Sequence, residues 1–196
     1  MQQQRILIDL SSRYPFLHAN QHLSNPDTRP FARSWLAIDL SAVLSQVLNT
    51  EIEGFAVPYT ANDKFYKYDQ AQAKATLCEK RFASKADLAL KAGQGNDYFE
   101  FHYLHQRHLA DKKATSKLKQ DVDRVRALRS ATKQNVYLAV ALWGTFSAKE
   151  AELFHYLDNN TYAAYALDTS LTGSSQVSRL VHVQKTKLPR MVFGLI

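Results

Sequence analysis

Lys85-Ala86-Asp87-Leu88-Ala89-Leu90-Lys91, then Ala92-Gly93-Gln94-Gly95-Asn96-Asp97, then Tyr98-Phe99-Glu100-Phe101-His102-Tyr103-Leu104 is the stretch on which the fold turns. Apolar and polar residues alternate in the outer pieces, and Gly, Asn and Asp cluster between them. That pattern predicts two strands of an antiparallel hairpin. Because successive side chains of a strand point to opposite sides, Ala86, Leu88 and Leu90 share one face, as do Phe99, Phe101 and Tyr103 on the second strand. Asp87 lies on the other face, and so do Glu100 and His102, with Tyr98 and Leu104. A register that buries the two apolar faces together sets Asp87 across from Glu100 and Lys85 across from His102, leaving Ala92 to Gly95 as the loop. Directly opposed residues have Cβ atoms about 4.5–5.5 Å apart. Two carboxylates that close repel unless a cation or a shared proton lies between them, and a divalent metal ion meets that need.

Outward from the hairpin, Leu36, Leu40, Val43, Leu44, Val47 and Leu48 recur at helical steps, with Ser34 as N-cap and a stop near Asn49-Thr50. Phe55 to Tyr59 reads as a short strand ended by Pro58. Downstream, Leu118, Val122, Val125 and Leu128 mark a second helix beginning near Thr115-Ser116. Asn135 to Trp143 is almost continuously apolar, as a strand in the middle of a sheet should be. Ser147-Ala148-Lys149-Glu150 is a capping box opening a helix to about Asp158. Tyr162 to Leu167 and Val177 to Gln184 read as further strands.

Two segments read poorly. Gln2 to Arg33 is polar and broken by Pro15, Pro26 and Pro30, which predicts a short element and then a loop. Asn62 to Lys85 reads as a solvated loop with a weakly helical Ala71–Cys78, although its mixture of lysine and tyrosine also suits phosphates and stacked bases. With no repeat and no linker, the expected architecture is a single α/β domain, a central mixed β-sheet flanked by helices.

A chain of 196 residues, 45% hydrophobic and 22% charged, can bury a core without disulfides. Cys78 is the single cysteine and reads as a small buried residue. The N-terminal residues lack the apolar stretch of a signal peptide, and no apolar run is long enough to span a bilayer. A cytoplasmic location and no membrane partner are therefore expected. The formal charge of +7 favours an anionic partner, nucleic acid before membrane. His105 and His108 have a helical spacing but lack the companions of a zinc site. Trp35 and Trp143 read as core.

The order helix, short strand, hairpin with Asp then Glu, amphipathic helix, buried strand resembles the nuclease core of the PD-(D/E)xK, or restriction-endonuclease-like, superfamily. The resemblance covers about Ser34 to Gly144, with an N-terminal extension (1–33) and a C-terminal helix and strands (147–196). Asp87 matches the family's first acid, Glu100 its second, and Leu118-Lys119-Gln120-Asp121 the opening of the helix that follows. The resemblance implies a metal-dependent endonuclease that hydrolyses phosphodiester bonds. In that reading Asp87 and Glu100 hold Mg²⁺, or Mn²⁺ in its place, and Lys112, Lys113, Lys117 and Lys119 neutralise flanking phosphates. DNA is favoured over RNA, and a homodimer suits cleavage of both strands. His102 stands where the family has lysine. It would orient or deprotonate the attacking water, with Lys85 supplying the positive charge. The same departure leaves open a catalytically silent domain of this fold that binds nucleic acid or protein, and an unrelated α/β protein with coincidental acids is a third possibility.

Overall fold

The computed structural model describes residues 2–109, 111–146, 150–183 and 188–196. Helices α1 (Gln2–Arg13), α2 (Phe16–Leu23) and α3 (Arg29–Leu48) precede strand β1 (Ile52–Pro58). Three short strands follow, β2 (Thr60–Ala61), β3 (Lys64–Asp69) and β4 (Lys74–Cys78), and then the long hairpin β5 (Lys85–Ala92) and β6 (Gly95–His105). Helices α4 (Gln106–Leu109) and α5 (Lys112–Thr132) lead to β7 (Val136–Gly144). Helix α6 (Ala151–Leu157) and strands β8 (Tyr165–Asp168), β9 (Val177–Arg179) and β10 (Arg190–Leu195) end the chain.

The hairpin forms as the alternation requires. Leu88 pairs with Phe99, and the ladder runs to Ala92 opposite Gly95, so the turn is only Gly93-Gln94. Gly93 has φ +55° and Gln94 does not share it, the φ pattern of a type II′ turn, which asks for glycine at its first central position. Strands β6 and β7 pair in parallel, joined by the α5 crossover, and every other neighbouring pair is antiparallel. The result is a seven-stranded mixed sheet in the order β1-β5-β6-β7-β10-β8-β9. The expected α/β architecture is present.

Both faces of this sheet are covered. On one, Leu36, Leu40 and Leu44 of α3 and Ile6, Leu7 and Leu10 of α1 pack on Leu88, Leu90, Phe99, Phe101, Tyr103 and Tyr137. On the other, Leu118, Val122, Val125 and Leu128 of α5 and Leu153, Phe154 and Leu157 of α6 pack on Tyr98, Leu104, Leu138, Val140 and Val192. The small sheet β2-β3-β4 joins this second layer, with Tyr66, Tyr68 and Ala75 against the same cluster. Ala86 departs from the predicted face and packs with the α5 layer, beyond the point where the β5-β6 pairing ends at Leu88.

Several sequence expectations change. Gln2 to Leu23 forms two helices, since Ile6, Leu7 and Leu10 make an apolar stripe that the sheet buries. Ala71–Cys78 is not helical: Ala73 adopts φ +48° in a turn, and Lys74–Cys78 pairs with β3. Helix α3 begins at Arg29 with Pro30 in its first turn, so Ser34 is interior. Its predicted end is right, with Asn49 in a left-handed C-cap. Helix α5 starts at Lys112, capped by Asp111, whose side chain accepts a hydrogen bond from the Lys113 N–H. Ser147 to Lys149 and Gln184, parts of two predicted elements, lie outside the described residues.

Candidate functional site

The hairpin strands part company at Asp87. Strand β5 pairs with β1 along its length, and on the Lys85 side of Leu88 it pairs with β1 alone, Ala86 facing Val57 and Lys85 facing Pro58. The Asp87 side chain fills the opening by accepting the Phe101 N–H at 2.8 Å, so a carboxylate replaces the next ladder partner of β6. Glu100 lies beside it, pointing to the α5 face, and is 0% exposed. A carboxylate buried that completely must be paired and hydrogen-bonded, and Arg33, Arg124 and Tyr59 do this.

Arg33, from the first turns of α3, donates through Nε to both oxygens of Asp87 at 2.8 and 2.7 Å and through Nη2 to Glu100 Oε2 at 3.3 Å. Arg124, from the middle of α5, donates Nη2 to the same Glu100 oxygen and also reaches Asp121 Oδ1 at 3.3 Å. Tyr59 donates its hydroxyl to Glu100 Oε1 at 2.6 Å. Because α3 and α5 cover opposite faces of the sheet, two guanidinium groups from opposite layers meet on one carboxylate. His102 completes the set: its Nδ1 is 2.8 Å from Asp121 Oδ2, and Lys117 Nζ is 3.3 Å from Asp121 Oδ1.

The electrostatics follow from burial and pairing. Burial works against the charged form of Asp121, yet the His102 hydrogen bond and the charges of His102, Lys117 and Arg33 outweigh it and hold the carboxyl below its usual range. Arg124 is pushed down by burial and then by the like charge of Arg33. Burial raises Tyr59 far above the ordinary phenol value, so its hydroxyl stays protonated and keeps donating.

Of the residues singled out in the sequence, Asp87, Glu100 and His102 converge. Lys85 does not join them: it faces Pro58 on β1, its side chain is exposed, and the predicted pairing across from His102 is prevented by the opening at Asp87. Lys117 enters the site through Asp121, whereas Lys119 lies over the Tyr156 ring at 4.9 Å. Lys112 and Lys113 are exposed at the start of α5. Cys78 is half-buried, and Glu51 is held by Lys91 at 2.8 Å. Sequence reasoning missed Arg33, Arg124 and Tyr59. One signal was available: Asp121 interrupts the apolar stripe of α5, and a charge there demands partners from its own helix or the strands beneath.

The implied divalent metal does not fit this donor set as arranged. Both oxygens of Asp87 and both of Glu100 already accept hydrogen bonds. The charges of Asp87, Glu100 and Asp121 are matched by Arg33, Arg124 and Lys117. Among the described residues no group of three or more His, Cys, Asp and Glu side chains is placed to hold a metal ion. No protein-family model matches the sequence, and no curated protein or solved structure matches it.

Proposed function

We propose that this chain is a nucleic-acid-binding domain of restriction-endonuclease-like architecture in which the acidic pair has become a structural ion-pair network. The observation that carries this reading is the Arg33 guanidinium spanning Asp87 and Glu100, with Arg124 closing the far side of Glu100. A guanidinium offers fixed donors to two carboxylates and removes the repulsion that a metal would otherwise relieve. Binding is supported by the formal charge of +7 and by exposed lysines at the start of α5, Lys112 and Lys113, which form no ion pair among the described residues. Phosphate contacts of this kind give affinity that falls steeply with salt.

A second reading is a metal-dependent nuclease. It is favoured by the parting of β5 and β6 at Asp87, which gathers Asp87, Glu100, His102 and Asp121 into one network. The two separate in one experiment. Purified protein is incubated with supercoiled plasmid, linear duplex, single-stranded DNA and RNA, in Mg²⁺, Mn²⁺ or EDTA, and both retardation and cleavage are scored. The expected result is retardation that is the same in EDTA, without cleavage. Metal-dependent cleavage that disappears in Asp87→Ala and Glu100→Ala proteins establishes the nuclease instead.

A further inference from the structure

The β3-β4 hairpin has two unlike faces. Tyr66, Tyr68 and Ala75 point inward and pack with the α5 layer. Strand alternation then turns Phe65 and Lys67 outward on β3 and Lys74, Thr76 and Cys78 outward on β4, with Phe65 paired to Cys78 and Lys67 to Thr76. The short turn after β4 adds Lys80, whose Nζ lies 5.9 Å from the Phe65 ring centre, which fixes Lys80 to this same outward side. Lys67, Lys74 and Lys80 are exposed and make no ion pair among the described residues. Two acids lie nearby: Asp69, opposite Lys74 in the ladder, accepts the Ala71 and Gln72 N–H groups, and Glu79 binds Arg81 at 3.0 Å.

Three exposed lysines along the outward side of a short hairpin, one of them beside an aromatic ring, match the chemistry of a nucleic acid strand. Lysines take phosphates and the ring takes a base, a combination that works when bases are unstacked and free to turn outward. In a duplex the bases are stacked on one another, and Phe65 would have no partner. We propose that the outward face of β3-β4 is a docking surface for single-stranded nucleic acid, with Lys67, Lys74 and Lys80 on the phosphates and Phe65 under a base. This rests on the nucleic-acid reading above and adds to it a surface and a strand form. The surface is distinct from the carboxylate network, since none of its residues bonds to Asp87, Glu100 or Asp121.

The test is fluorescence anisotropy of labelled single-stranded DNA, single-stranded RNA and duplex DNA against full-length protein over a range of salt. Four proteins are compared: wild type, Lys67→Ala/Lys74→Ala/Lys80→Ala, Phe65→Ala, and Lys112→Ala/Lys113→Ala, with circular dichroism melts to establish folding. Removing three phosphate contacts should lower single-strand affinity at least about tenfold at low salt and flatten the slope of log K against log salt by about 2. Phe65→Ala should weaken single-strand binding about tenfold and leave duplex binding unchanged. Because Phe65 is half-buried, Phe65→Leu serves as a second variant that keeps an apolar side chain while removing the stacking ring. Wild-type binding that is undiminished in the triple lysine variant, or lost only in Lys112→Ala/Lys113→Ala, overturns the surface and leaves the nucleic-acid reading intact. No binding of any nucleic acid by wild type overturns both.

Discussion

Glu100 sets the energetic stakes of the site. A fully buried carboxylate costs several kcal/mol to desolvate, and its pairing with Arg33, Arg124 and Tyr59 offsets that cost only while each partner is present. Replacing Arg124 by Ala leaves Glu100 and Asp121 under-compensated, and the expected loss is about 3 kcal/mol in urea denaturation. A combined Arg124→Met and Glu100→Leu protein should recover much of it, because both charges leave together. Asp121 gives an acid signature. Its pKa in the folded chain is lowered below the unfolded value, so its contribution is fully present above about pH 4 and is lost as pH falls through the folded value. The stability difference between wild type and Asp121→Asn should therefore shrink below about pH 4, as chemical denaturation at several acidic pH values would show. The acids themselves were readable, because strand alternation fixes their face. Their partners were not: Arg33 is separated from Asp87 by the rest of α3 and the β1–β4 region, and nothing local in the sequence joins them.

Elements whose own pattern agrees with their surroundings were readable from the chain. Helix α3, the β5-β6 hairpin, α5 and β7 each combine a clear period with a matching burial, and each exists. The hairpin strand β4 failed because the three alanines of Ala71–Cys78 favour a helix on propensity alone, while the packing of Tyr66, Tyr68 and Ala75 on the α5 layer decides for strand. Helices α1 and α2 were obscured by glutamines and prolines that mark their boundaries and leave their interiors helical. Two local substitutions check these assignments. Asp111→Ala removes the side-chain cap of α5 and should cost about 1 kcal/mol in thermal or urea unfolding. Gly93→Ala finds open space but must hold φ +55°, so a loss of about 1 kcal/mol is expected from backbone strain alone.

One sheet serves as the floor of both apolar layers, and the ion-pair network ties α3, β5, β6 and α5 across it. Domain class was legible because both flanking helices and the buried strand β7 announce a covered sheet. The chemistry at its centre was less so, since the same opposed acids serve a metal or an arginine equally well and only the position of Arg33 separates the two. The decisive measurement is Mg²⁺ titration of the wild-type protein by calorimetry, beside Arg33→Ala, with a thermal melt at each end point. If arginine has taken the cation's place, wild type shows no heat of binding and an unchanged melting temperature in millimolar Mg²⁺. Saturable Mg²⁺ binding by wild type that is abolished in Asp87→Ala and Glu100→Ala would contradict it and make the site a metal centre.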